Sequence, residues 1–358
     1  MGLRIIKPDT SIDFMGKRFW AMCVSLLVLA LGLGAIVLQG GLNYGIDFAG
    51  GINIQVKFDQ QADVAQVQKV LNKAQLPEIR VQQLGLDQAH EYLLRISAVD
   101  ADPEDMRIAV NQALTQGMER DFTIQRLEMV GPKVGSDLKN KALQALFYAV
   151  LFISIYISGR FEQKWMTAGV MAVGLLTGLY VLGLLAVPLV YLILAALVIT
   201  LGLSWYLRLN YALGAVVALI HDVLITVGVF SLLGKEFDLT IVAALLTIIG
   251  YSLNDTIIIY DRVRENLRSK HAGSLFETIN ASVNQTLSRT VLTSGTTILV
   301  VACLIVLGGG VIHDFALALL IGVLVGTYSS IFVAGSLLLG IGPTPEEESE
   351  EGSAVQTA

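Results

Sequence analysis

Cysteine, proline and histidine are all scarce in this 358-residue chain, which holds two Cys, seven Pro and four His. Cys23 and Cys303 lie in separate apolar stretches with no His or second Cys nearby. Neither a disulfide framework nor a zinc site is supported, and the two cysteines read as small core residues. No motif for a metal or an organic cofactor is found. Charge is thin as well: 15% of residues are Asp, Glu, Lys or Arg against 54% hydrophobic. A chain this apolar, with 34 glycines, is a polytopic membrane protein. The net charge of -6 comes partly from the acidic cluster at 346–351, so it says little about partners, and nucleic acid is not implied.

What the chain does have is a series of long apolar runs. The first, at 19–38, follows Arg4, Lys7, Lys17 and Arg18. It is too long for a signal-peptide core and no small-x-small cleavage site follows, so an uncleaved span is expected with its amino end in the cytoplasm. Further runs at 142–158, 166–185, 189–207, 212–233, 239–260, 290–307 and 315–339 bring the expected total to about eight, with Pro188 as the break between two of them. Arg160, Lys164, Arg208, Arg262, Arg264, Arg268, Lys270 and Arg289 then fall on the side of the amino terminus, while the short loops opposite hold only Lys235. That asymmetry obeys the positive-inside rule and predicts two cytoplasmic termini. Lys133, Lys139 and Lys141 go the other way and read as an amphipathic approach along the outer surface. The tail beyond Pro343 is expected to be disordered.

One sizeable polar segment, 39–136, separates the first span from the rest. Period-two alternation at 51–58, 79–84, 92–97 and 122–130 predicts strands, and helical spacing at 62–74 and 103–118 predicts helices, with Asp63 and Asp102 placed at helix starts. The order β-α-β-β-α-β is that of a ferredoxin-like unit. Gly45-Ile46-Asp47-Phe48-Ala49-Gly50-Gly51 precedes it. A phosphate cradle would need a completing Lys, Ser or Thr and a helix directly after the loop; the favoured reading is a tight turn leading into the first strand.

Ionisable groups inside the apolar runs are few. Asp255, next to Asn254, interrupts the run at 239–260, and His221-Asp222 lies near the middle of 212–233. A carboxyl group in hydrocarbon costs several kcal/mol and normally faces a bundle interior or a wet cavity, which makes Asp255 the first functional candidate. The competing reading is a helix-end carboxylate reaching for the surface beside Asp261 and Arg262. Arg289 stands near the inner end of the next run, and if that helix begins near Val283 its depth matches that of Asp255. Thr293, Thr296 and Thr297 after Arg289, with Thr247, Tyr251 and Ser252 beside Asp255, suggest a hydrated polar path; taken alone, such hydroxyls are ordinary interhelical contacts. His221 and Asp222 are secondary candidates, because adjacent helix positions point in different directions. Ala318, Gly322 and Gly326, four apart, read as a packing stripe.

Several stretches also carry a family resemblance. They are the 45–51 motif, Arg160-Phe161-Glu162, the run 212–222 ending in His221-Asp222, 238–266, Thr286-Leu287-Ser288-Arg289-Thr290 and Gly326-Thr327-Tyr328-Ser329-Ser330. In that order they resemble the SecF family, the smaller half of the bacterial SecDF protein-export complex and a relative of resistance-nodulation-division (RND) transporters. The resemblance implies an RND-like helix bundle in the bacterial inner membrane with one periplasmic ferredoxin-like domain. It implies pairing with SecD, association with the SecYEG translocon, and proton-motive assistance to the export of unfolded polypeptide, with protons as coupling ion and no cofactor. Asn254-Asp255 looks like the family's proton-relay site and Arg289 like its basic partner.

The expected organisation is therefore a first span at 1–38, the soluble domain at 39–136, the bundle at 137–340 and a cytoplasmic tail at 341–358. One departure stands out: 163–211 inserts two apolar runs where the family's Arg-Phe-Glu motif leads almost directly into Ala-Leu-Gly-Ala. Where this hairpin packs, and whether it covers the SecD-facing surface, is left open. Two other classes remain. An RND-type small-molecule or lipid exporter would share the membrane logic. An intramembrane protease would need a dyad such as Ser252 with His221, in a sequence lacking Gly-x-Gly-Asp and Gly-x-Ser-x-Gly.

Overall fold

The computed structural model describes residues 11–74, 76, 79–84, 90–96, 102–118, 120–162, 165–183, 189–269 and 273–342. The expected break at Pro188 and the acidic tail lie outside the described residues. After a single 3-10 turn, α1 (Arg18–Leu38) leads through a short α2 (Ile46–Ala49) into the polar segment, which folds in the order β1 (Gly51–Phe58), α3 (Val64–Lys73), β2 (Ile79–Leu84), β3 (Glu91–Ile96), α4 (Pro103–Gly117) and β4 (Phe122–Val130). The four strands form one antiparallel sheet in the order β2-β3-β1-β4, the expected topology. Alternation supplies its core: Ile52, Ile54, Val56 and Phe58 of β1 and Tyr92, Leu94 and Ile96 of β3 are buried against Val67 and Leu71 of α3 and Met106, Val110 and Leu114 of α4. Asp63 and Asp102 are the N-caps of the two helices, accepting from the amides of Ala65 and Glu104.

The bundle follows: α5 (Pro132–Glu162), α6 (Trp165–Gly183), α7 (Leu189–Tyr206), α8 (Asn210–Leu232), α9 (Leu239–Arg268), α10 (Leu275–Leu307) and α11 (Gly309–Ser329), then a π-helical turn (Ser330–Ala334) and α12 (Gly335–Ile341). Among the described residues, six helical segments are long and apolar enough to cross a membrane, where about eight spans were expected: Met15–Leu38, Pro132–Glu162, Asn210–Leu232, Leu239–Arg268, Leu275–Leu307 and Ile312–Ile341. The remaining two expected spans are α6 and α7, of 19 and 18 residues. At 1.5 Å per residue they reach about 28 and 27 Å, slightly less than a hydrocarbon core of about 30 Å.

Two other expectations change. The three lysines at 133, 139 and 141 ride the first turns of α5 itself, with no separate surface segment, and Lys139 Nζ sits 3.9 Å above the Tyr44 ring. Cys23 and Cys303 are exposed. They lie on α1 and α10, where only 17% of each apolar window is buried, so most of their surface turns outward.

The bundle packs closely where glycines permit it. A Cβ on Gly32 of α1 would lie 2.7 Å from the Gly228 Cα of α8. The stripe on α11 packs within the chain against α9, where a Cβ on Gly322 would meet Ile248 at 2.3 Å and one on Gly326 would meet the Ser252 Cβ at 2.9 Å.

The sheet domain is fastened to the α8–α9 connection. Gly45 N donates to Phe237 O and Phe237 N to Asn43 O, both at 2.7 Å. Asp47 Oδ2 accepts from Leu239 N at 3.0 Å. Arg95 of β3 pairs with Glu236 at 2.9 Å and also donates to the Tyr44 carbonyl. Positive φ at Gly50 (+77°) and Gly51 (+127°) turns the chain into β1, so the 45–51 motif makes the turn favoured from the sequence and also serves as a docking segment. Asp238 caps α9 through the Ile241 amide at 2.9 Å, and burial, with nearby Asp47 adding to it, pushes its carboxyl up to about 6.

Two outcomes are expected. Gly32→Val forces α1 off α8 at a cost of about 1–3 kcal/mol, read as a lowered thermal midpoint of the purified protein. Because its folded value lies above the ordinary one, Asp238 favours the folded junction in acid and loses that contribution as pH rises through about 6. Protection of the Leu239 and Ile241 amides, corrected for intrinsic exchange, falls between pH 5 and 7 in the parent and stays flat in Asp238→Asn.

Candidate functional site

The middle of α9 carries two adjacent residues with opposite fates. Asn254 is exposed, whereas Asp255, one position on, is 1% exposed. Ser294 of α10 donates to Asp255 Oδ2 at 3.4 Å, and the Ser294 hydroxyl lies 2.7 Å from Thr327 Oγ1 of α11, which donates to the Val323 carbonyl at 2.8 Å. Asp255 thus faces the bundle interior on a three-helix hydroxyl chain, and the surface-reaching alternative is not what the fold adopts. Asp261 instead pairs with Arg160 of α5 at 3.2 Å.

Arg289 lies on α10 as expected, but the capping box of Ser274 and Glu277 starts that helix at Leu275, which places the arginine mid-helix. Among the described residues it makes no direct ion pair with Asp255, whose side-chain partner is Ser294. It is exposed, and with Asn254, Gln285 and Thr286 it lines a recess of about 280 Å³ between α9 and α10. The geometry of α10 explains this. Ser294 is five residues beyond Arg289, about 140° around the helix at 3.6 residues per turn, so the residue that meets the carboxyl and the cation beside it occupy different faces.

The expected threonine path is corrected. Thr293 Oγ1 donates to the carbonyls of Arg289 and Thr290, Thr296 to those of Leu292 and Thr293, and Thr297 to that of Thr293. Thr247 likewise donates to Ala243 O. A hydroxyl four residues after a carbonyl on the same helix finds it without any partner helix, so Thr293 does not extend the site. Ser294, passed over in the sequence, does.

A second polar centre is built on α8. Asp222 of α8, 1% exposed, accepts on Oδ2 from Ser252 of α9 at 2.5 Å and Ser329 of α11 at 2.8 Å, and its Oδ1 is 2.9 Å from His221 Nδ1. His221 Nε2 is 3.0 Å from Ser25 of α1, whose hydroxyl is 2.9 Å from that of Tyr328, and Tyr328 donates to Ala21 O. Adjacent positions were expected to diverge, yet both side chains are buried and bonded to each other. The 326–330 segment serves both centres: Thr327 reaches Ser294, Tyr328 reaches Ser25 and Ser329 reaches Asp222. Gly326 lets α9 come close enough for this.

With that geometry in view, comparison with known proteins is informative. Residues 36–62 match the SecD/SecF GG motif, and 110–187 together with 183–343 match the family described as protein export membrane protein SecD/SecF, C-terminal. The chain belongs to the SecD/SecF protein-export family. Membership places it in protein export as a multi-pass membrane protein and transport subunit. Among relatives named protein translocase subunit SecF, that of Magnetococcus marinus is 40% identical, the alignment covering 99% of this chain and 100% of the relative, and that of Escherichia coli O157:H7 is 36% identical over 92% and 88%. The crystal structure of SecDF from Thermus thermophilus superimposes with a TM-score of 0.69 at 31% identity, over 93% of this chain and 39% of that one. A SecDF crystal structure in a super-membrane-facing form gives 0.57 at 28% identity, over 100% and 42%. The chain thus spans about two fifths of the SecDF chains it matches. The SecD/SecF C-terminal match divides within 183–187, inside the inserted hairpin. That hairpin packs through Ala172, Ile193 and Ala196 onto Phe147 and Leu151 of α5, and through Leu197 and Leu201 toward Val150 and Val216. Among the described residues, Asn254 of α9 and Arg289 of α10 stay exposed.

The two carboxyl groups differ in what their removal strands. Asp222→Ala leaves three buried donor groups without their acceptor, at about 1–3 kcal/mol for each orphan, whereas Asp255→Asn disturbs one long contact. In thermal denaturation of the purified protein, the midpoint is expected to fall far more for Asp222→Ala than for Asp255→Asn.

Proposed function

We propose that this chain is the SecF-type subunit that, with SecD, uses the proton-motive force to assist late translocation of unfolded polypeptides through SecYEG in the bacterial inner membrane. Both termini are then cytoplasmic and the sheet domain periplasmic. The observation that carries the reading is Asp255 at the head of a hydroxyl chain. With the carboxyl ionised, Ser294 donates to it; with a proton on the carboxyl, Asp255 donates to Ser294, Ser294 to Thr327 and Thr327 to Val323 O, and each contact keeps one hydrogen. Proton arrival therefore reverses the Ser294 hydroxyl and removes the negative charge beside Arg289, which changes how α9, α10 and α11 attract one another.

Two further features support the partner and the coupling. Thr247, Gly250 and Asn254 of α9 and Arg289 and Thr296 of α10 are exposed in the bundle's apolar zone. Lipid solvates a guanidinium and an amide poorly, and small residues on α9 suit close helix approach, so a membrane partner covers this face; SecD is the one we assign. The start of α9 at Asp238 is fastened to the sheet domain through Asp47 and Phe237, so a shift of α9 at Asp255 is felt at the docking segment. One charge crossing 100 mV releases about 2.3 kcal/mol and each pH unit adds about 1.4 kcal/mol per proton, enough for a few protons to drive such a movement. No cofactor enters this scheme and protons are the coupling ion.

The competing readings have less behind them. An RND-type small-molecule or lipid exporter would use the same membrane logic, but this chain brings one core set and one small sheet domain. The protease dyad is not assembled: Ser252 bonds Asp222, and His221 Nε2 meets Ser25 instead.

The deciding experiment is export into inverted vesicles, with and without a proton gradient, comparing parent with Asp255→Asn. The substitution is expected to abolish the gradient-dependent stimulation while copurification with SecD persists; stimulation of parental size in the variant would refute the relay. Failure to copurify with SecD and SecYEG would instead favour the exporter reading.

A further inference from the structure

The His221–Asp222 pair invites a count of hydrogens. Tyr328 has one hydroxyl hydrogen and gives it to the Ala21 carbonyl. The Ser25 contact to Tyr328, at 2.9 Å, then takes its hydrogen from Ser25. The Ser25 contact to His221 Nε2, at 3.0 Å, must take its hydrogen from the imidazole, because Ser25 has only one to give. On the other side of the ring, Asp222 Oδ2 faces the hydroxyls of Ser252 at 2.5 Å and Ser329 at 2.8 Å, the latter also 3.2 Å from the Gly326 carbonyl. The Asp222 Oδ1 contact to Nδ1, at 2.9 Å, holds one further hydrogen, on Nδ1 in an imidazolium–carboxylate pair or on Oδ1 in an acid–imidazole pair, so in either case the pair holds one proton more than a neutral ring beside a carboxylate. A ring carrying hydrogens on both nitrogens is an imidazolium. The neutral ring with Nδ1–H leaves either Ser25–Nε2 or Ser25–Tyr328 without a hydrogen. The His221 and Tyr328 rings also stack, 6.2 Å between centroids and 22° between planes.

We propose that His221 and Asp222 form a second proton-holding centre, an imidazolium–carboxylate pair buried among α1, α8, α9 and α11, coupled to Asp255 through the Thr327–Tyr328–Ser329 segment. The two centres are built alike. One chain runs His221–Ser25–Tyr328–Ala21 O and the other Asp255–Ser294–Thr327–Val323 O. In each, one added proton at the head turns a serine hydroxyl from donor toward the head to donor toward the next hydroxyl, and the chain ends on a backbone carbonyl. Both middle links sit on consecutive residues of α11. Directly after them the backbone widens into the π-helical turn Ser330–Ala334, a local irregularity that recurs at functional sites. Tyr328 is the other titratable side chain touching the pair; the remaining contacts from α1, α9 and α11 among the described residues are serine hydroxyls. Asp255 is the nearest charge along α9, three residues beyond Ser252.

The coupling rests on Asp255 being the proton site, whereas the charge state of His221 is measured without export, so the two readings fail separately. The test is nitrogen-15 NMR of the full chain with labelled histidine, in lipid nanodiscs at pH 7. His221 is assigned among His90, His221, His271 and His313 by loss of its signals in His221→Asn. Two ring N–H correlations are expected for His221, falling to one in Asp222→Asn. A single ring N–H correlation in the parent overturns the proposal, whether or not the Asp222 variant folds. Asp255→Asn is expected to shift the His221 ring resonances; resonances identical to the parent's would overturn the coupling.

Discussion

In hydrocarbon a polar side chain has only the protein to bond with, and each one left alone costs free energy that nothing outside returns. That constraint shapes the interior of this bundle. Asp222 and Asp255 are tolerable because serine hydroxyls from neighbouring helices are aimed at them, and Gly326 of α11 lets α9 approach closely beside Ser252. Stability and site are then one arrangement: the glycine contacts hold the helices close, and closeness is what satisfies the acids.

The segment 326–330 concentrates this dependence. Its residues bond both acidic centres, and it ends in the π-helical turn. The long α9 links the interior to the soluble part. It begins at the Asp238 cap under the sheet domain, holds Ser252 and Asp255 midway, and ends beyond the Arg160–Asp261 pair. One continuous helix thus joins the docking segment under the sheet domain to the buried acid.

The inserted hairpin adds surface without entering this route. Its contacts run to α5 and α8, away from the face bearing Asn254 and Arg289. Glu162, just before the hairpin, accepts from the Tyr211 amide at the start of α8, so the chain leaves the bundle and returns beside its own departure point. An even number of added helices keeps everything downstream in place.

Much was legible before any coordinates. Alternation gave the four strands and two helices of the soluble unit nearly to the residue, since a half-buried strand and an amphipathic helix each impose a period. The rarity of charge in apolar runs singled out Asp255, and family motifs marked Arg289 and Asn254. Three things waited for the fold. Which hydroxyl meets an acid depends on helix rotation and on competition from the helix's own carbonyls, so the sequence pointed to Thr293 while the fold brings Ser294 to Asp255. Whether His221 and Asp222 diverge or pair depends on three other helices closing around them. Whether Cys23 and Cys303 face in or out depends on how deeply α1 and α10 are enclosed. Sequence by itself determined which stretches are apolar, which alternate and where acids sit, because those are properties of neighbours along the chain; only the tertiary structure decided who faces whom, because rotation and approach are set by packing among residues far apart in sequence.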